Sequence, residues 1–82
     1  MLTTGNQMKA ARALAGMDQA TLAKAAKIST GTVSAMEGRG AEMLTSALGT
    51  VRLVMIALEA AGIEFLDKGP GVKLRANQTP ER

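Results

Sequence analysis

The chain has no cysteine and no histidine. The first absence excludes disulfides, thiol chemistry and thiolate zinc sites. The second removes the commonest general base and a favoured metal ligand. Tryptophan and tyrosine are missing too, and Phe65 is the one aromatic residue. A core must then be assembled from Leu, Ile, Val, Met and Ala, which suits packed helices, and proline is scarce enough to leave helices intact. No nucleophile with a base, carboxylate pair, phosphate loop or metal cluster is visible, and Gly69-Pro70-Gly71 reads as a turn. An enzyme is therefore not expected, nor is a cofactor or a metal. Long apolar runs are lacking as well. The most apolar stretch, Val51 to Ala61, holds Arg52 and Glu59 and is too short to span a bilayer. Met1 to Ala15 has no apolar run behind a basic cluster, so no signal peptide is expected, and no membrane role.

What is present fits one small domain of 82 residues. Ten Lys and Arg against seven Asp and Glu leave a net charge of +3, an excess that suits a polyanionic partner without demanding one. The six methionines read as core fillers.

Hydrophobic periodicity divides the chain. Residues 1–4 read as a flexible start. From Gly5 to Ala15, Met8, Ala11 and Leu14 recur at helical spacing, and Gly16 supplies a stop. Asp18 can cap a second helix, Gln19 to Ala26, that turns Leu22, Ala23 and Ala26 inward. Lys27 and Ile28 make a turn, Ser29 caps again, and Thr30 to Glu37 forms a third helix with Val33 and Met36 inward. Gly38-Arg39-Gly40 ends it. Ala41 to Gly49 is ambiguous between loop and short helix. Thr50 is the expected cap of a longer helix to Ala61, with Val51, Val54, Leu58 and Ala61 on one stripe. Two alternating runs, Ile63 to Leu66 and Val72 to Arg75, flank a Gly/Pro turn and read as a β-hairpin, with Glu64 near Lys73 or Arg75. Residues 76–82 are polar and expected to be disordered.

The informative segment is Asp18 to Gly38: two capped helices joined by a short turn, the second with small polar residues outward. By spacing alone this is also an ordinary helical hairpin. The run Asp18-Gln19-Ala20-Thr21-Leu22-Ala23-Lys24-Ala25-Ala26-Lys27-Ile28-Ser29-Thr30-Gly31-Thr32-Val33-Ser34-Ala35-Met36-Glu37-Gly38 resembles the phage Cro/CI repressor family, also called the XRE family. Upstream, Arg12-Ala13-Leu14-Ala15-Gly16-Met17 is similar to that family's first helix and turn. Downstream, Ala57 to Leu66 and Gly69 to Arg75 are similar to very short bacterial members.

The resemblance implies a mainly α fold: a lambda-repressor-like helix-turn-helix domain of four to five helices over residues 5–62, with a hairpin at 63–75. It implies a sequence-specific transcriptional regulator that binds double-stranded DNA in the bacterial cytoplasm, at the nucleoid when bound. In such proteins the second helix of the motif enters the major groove. Carried over residue by residue, Gln19 falls where relatives contact the backbone or a base, and Thr30, Gly31, Thr32, Ser34 and Ala35 fall at recognition positions. Ser29 is first a cap, though its position permits a DNA contact. Lys27 and Arg39 flank the third helix and are the better phosphate candidates, above Lys9 and Lys24. Arg12 and Glu37 match a pair that forms a buried ion pair in some relatives. The sequence departs from the family in lacking Gln, Arg or Lys on the recognition face, where bidentate side chains discriminate bases best. Selectivity is then expected from DNA shape, half-site spacing and flanking cations.

Two features point to association. Leu53, Met55 and Ile56 make the long helix apolar nearly all round, and the hairpin, with Phe65, Leu66, Val72 and Leu74, is marginal alone. One reading is that these residues complete a single small core. The other is a homodimer on a pseudo-palindromic site. A different class of function remains beside DNA binding: a protein-interaction module, such as an antitoxin or antiactivator, using the same fold.

Overall fold

A computed structural model describes residues 2–66 and 71–74. The chain runs through α1 (Gly5–Leu14), α2 (Gln19–Ala26), α3 (Thr30–Glu37) and α4 (Leu48–Ala60), then β1 (Ile63–Phe65) and β2 (Val72–Leu74). The molecule is mainly helical with a small antiparallel hairpin. α2 packs against both α3 and α4, α1 against α3 and β2, and α4 against β1.

The caps explain where the helices begin. Asp18 accepts from the backbone N–H of Thr21 at 2.8 Å, and Ser29 accepts from that of Thr32 at 3.0 Å. Each satisfies an N–H that has no partner within its own helix. α2 ends differently. The Lys27 N–H reaches the Lys24 carbonyl and the Ile28 N–H reaches the Ala23 carbonyl, at 3.2 and 2.9 Å. This is the paired closure of a Schellman motif, which needs a left-handed residue. Lys27 takes that place at φ 60°, the one non-glycine at positive φ among the described residues.

Leu22, Ala23 and Ala26 from α2, Val33 and Met36 from α3, and Val51, Val54 and Leu58 from α4 are buried as the periodicity requires. Ile63 is fully buried, and Phe65 and Val72 pack against the same core. The hairpin register pairs Ile63 with Leu74, Glu64 with Lys73 and Phe65 with Val72. Lys73 stands 4.0 Å from the Glu64 carboxylate across the strands. The Gly/Pro turn at 67–70, Arg75 and the polar tail at 76–82 lie outside the described residues.

Three expectations need correction. The start is not loose: Leu2 is 2% exposed, within the core. Thr4 bridges to Met43, and the Leu44 N–H donates to the Thr3 carbonyl at 2.7 Å. Thr4 also caps α1 by accepting from the Gln7 N–H, while the Thr3 N–H donates to Gln7 Oε1 at 2.6 Å. This reciprocal arrangement resembles a capping box. It explains why Gln7 is buried and lies on the inward face with Met8 and Ala11, while Leu14 is 44% exposed. Thr50 is not a cap. α4 starts at Leu48 behind Ala47, which makes no side-chain cap bond, so packing of Val51 and Val54 rather than capping starts the helix.

Candidate functional site

The frame of the site is a charged cluster linking three helices. From α1, Arg12 donates through Nε to Glu37 Oε2 at 2.7 Å and through Nη2 to Glu37 Oε1 at 3.0 Å. Its Nη1 donates to the Met17 carbonyl at 3.0 Å, holding the turn between α1 and α2. From the first residue of α2, Gln19 Nε2 donates to Glu37 Oε1 at 3.1 Å. The Glu37 side chain is 4% exposed, so these bonds replace nearly all its hydration. Among the described residues no buried side-chain nitrogen or oxygen lacks a partner.

The electrostatics follow from this geometry. Burial pushes the Glu37 carboxyl up, but hydrogen bonds from Arg12 and Gln19 and the charges of Arg12 and Lys9 outweigh it and hold it below its usual range. The hydrogen bond to Glu37 raises Arg12; burial opposes this, and the charges of Glu37 and Asp18 add to it. Asp18 is lowered by the side-chain and backbone groups of Thr21 that it accepts from. The Arg12–Glu37 match read from the sequence is thus a bidentate ion pair. Gln19, expected to contact DNA, donates from its amide nitrogen to that pair and stays half-exposed.

With Val33, Met36 and Glu37 turned inward, α3 exposes Thr30, Gly31, Ser34 and Ala35, and Thr32 is half-buried. Ser29, Gly31, Thr32, Ala35 and Arg39 line a groove of about 460 Å³. Met36, Thr45 and Ser46 complete its lining. Those last two come from the segment that periodicity could not resolve. No helical or alternating pattern marks it, and only the fold carries it beside α3. Thr30 and Ser34 stand on the same helix outside the groove lining. Lys27 is exposed at the turn into α3.

The chemistry this face presents is spare. The Ser29 and Thr32 hydroxyls lie 2.8 Å apart and share one hydrogen, so together they offer one further O–H donor. Gly31 has no side chain, and a Cβ there would find only Ser29 Oγ, at 3.8 Å, so a partner surface can approach the backbone closely. Arg39 Nε donates to the Met43 carbonyl at 3.2 Å, and its Nη2 lies 3.4 Å from the exposed Glu42 carboxylate. The guanidinium is therefore aimed by the loop while still facing solvent.

The residues considered for association divide in two. Met55, Phe65 and Val72 are partly buried against the core. Leu53, Ile56, Leu66 and Leu74 are exposed, Ile56 most at 56%. Among the described residues no group of His, Cys, Asp or Glu is placed to hold a metal ion, and no helix is long and apolar enough to cross a membrane. No protein-family model matches the chain, and no curated protein matches it.

Proposed function

We propose that the protein is a sequence-specific DNA-binding transcriptional regulator of the Cro/CI (XRE) kind. In this reading it has a lambda-repressor-like fold, docks α3 in the major groove of operator DNA and binds a pseudo-palindromic site as two copies. The observation that carries this reading is the outer face of α3. Its exposed side chains are all small, it is held by a buried ion pair at one end and a cap at the other, and a groove lined by hydroxyls, Arg39 and apolar groups runs beside it. A helix with such a face admits base edges without steric conflict. Hydroxyls and a methyl-bearing Thr suit single hydrogen bonds, thymine methyl contact and bridging water. Lys27 and Arg39 flank the helix as phosphate partners.

Selection from a random DNA pool, followed by fluorescence anisotropy over a range of salt, tests it. The expected result is an enriched two-fold site, bound roughly a thousandfold or more above random DNA. The logarithm of affinity should fall linearly with the logarithm of salt concentration. Ser34→Glu, at an exposed position, should abolish binding while leaving the helical circular dichroism spectrum and melting temperature unchanged. Absence of binding to any DNA at about 50 mM salt, where phosphate contacts are strong, would overturn the reading in favour of a protein-interaction role.

A further inference from the structure

The outward face of α4 carries a pattern that the DNA reading does not use. Val51, Val54, Ala57 and Leu58 fill the core from one side of the helix. On the other side Leu53 and Ile56 are 43% and 56% exposed. Arg52, Met55, Ile56 and Glu59 line a shallow groove of about 250 Å³ on this side. Their spacing of three, one and three residues places all four on one helical face. The order along it is cation, apolar, apolar, anion.

That order is complementary to its own reverse. A two-fold axis lying between two copies, perpendicular to α4 at the level of Met55 and Ile56, lays α4 antiparallel on α4 of a second copy. Arg52 and Glu59 stand equally far from that point, about one turn to either side. The rotation therefore brings Arg52 of each copy against Glu59 of the other, and sets Met55 beside Met55 and Ile56 beside Ile56 at the centre. An isologous contact needs this reciprocity, in which residue i meets j and j meets i. Antiparallel α4 helices also set their dipoles head to tail.

We propose that this face is a homodimer interface centred on Met55 and Ile56, with two reciprocal Arg52–Glu59 pairs at its rim. The pairs fix the antiparallel register, and Met55 and Ile56 supply the apolar contact. A carboxylate accepts more than one hydrogen bond, so Glu59 can serve a neighbour in its own chain and Arg52 of the second copy together. The inference rests on the proposed function only for the number of copies.

Mass measurement without DNA tests it. Sedimentation equilibrium of the full chain should give twice the monomer mass at micromolar concentration. Arg52→Glu and Glu59→Arg each place like charges together twice and should weaken association about tenfold to a hundredfold. Mixing the two variants restores both pairs, so the mixture should form a heterodimer that neither variant forms with itself. The double variant should dimerise again. Circular dichroism of each single variant checks that the fold stands. The heterodimer mixing reads register rather than stability, so a modest loss of stability does not mimic it. A monomer throughout would overturn the proposal, including one in which residues 75–82 of the same chain cover the face. So would dimerisation insensitive to charge reversal, or a mixture that fails to associate. Because no DNA is present, a failed dimer leaves DNA binding standing, and a dimer without DNA affinity rejects only the functional reading.

Discussion

Arg12 and Glu37, twenty-five residues apart in the chain, form two parallel hydrogen bonds of 2.7 and 3.0 Å across the α1–α3 contact. Such a fork-on-fork pair fixes distance and plane together. Through Gln19 on the same carboxylate, it also sets the start of α2 against the end of α3. The angle between α2 and α3 is thus held at its open end by charge and at its turn by packing of Ile28.

Removing one partner should be worse than removing both. Arg12→Met strands the Glu37 carboxylate and is expected to cost about 3 kcal/mol, the low end for a broken buried pair because Gln19 still donates. Arg12→Met with Glu37→Met removes the buried charges together and should lie within about 1 kcal/mol of the parent. Urea midpoints of the single and double variants decide this. A double variant as unstable as the sum of its singles would show the pair is not coupled.

The same pair sets a pH dependence. Glu37 and Asp18 have folded values below their unfolded ones. The unfolded chain therefore takes up protons first as the pH falls. Stability from these groups is complete above the unfolded carboxylate range, roughly pH 4. It is lost as the pH drops through that range toward the lowered folded values. Urea unfolding should give a flat midpoint from pH 7 to about pH 5.5 and a decline below roughly pH 4.5. In the Arg12→Met, Glu37→Met variant the decline should be shallower. An equal slope would assign the dependence to other carboxylates.

Lys27 holds a backbone conformation that favours glycine, at φ 60°. Lys27→Gly should stabilise the protein by about 1 kcal/mol by relieving that strain. It also deletes an exposed cation beside α3. If that cation meets a phosphate, DNA affinity should fall and the salt slope should shrink by about one. A variant that is both more stable and an equally good binder would remove Lys27 from the interface.

Gly5 is needed for close approach. A Cβ there would stand 2.5 Å from the Met36 carbonyl oxygen and 2.8 Å from that of Glu37, both backbone atoms. Gly5→Ala should cost about 1–3 kcal/mol by pushing α1 off the end of α3. Gly31→Ala meets nothing closer than 3.8 Å and should raise stability by about 0.5–1 kcal/mol. A thermal melt of each variant tests the contrast, which fails if Gly5→Ala melts with the parent.

Local patterns carried most of the secondary structure. Asp18 and Ser29 announce their helices because a short oxygen side chain beside free N–H groups is a local interaction. Alternation excludes an odd slip of the hairpin, which would turn Ile63 outward, but it left Glu64 opposite Lys73 or Arg75, and the structure pairs it with Lys73. Thr4 and Gln7 carried an equally local signal in the right spacing, which reading residues 1–4 as a flexible start overlooked.

What the sequence by itself determined is the set of helices, the inward residues of α2, α3 and α4, and the small-residue face of α3. These depend on neighbours within a turn of helix or a pair of strands. What only the tertiary structure decided is the company each face keeps. Leu14 is exposed and Gln7 buried because α1 is rotated by its contacts with α3 and β2. Gln19 turns to Glu37, eighteen residues on, rather than straight out to solvent. Thr45 and Ser46 join the groove beside α3 from a segment with no periodicity of its own. Each of these outcomes depends on groups distant in the chain competing for one interior, and no local pattern encodes which of them prevails.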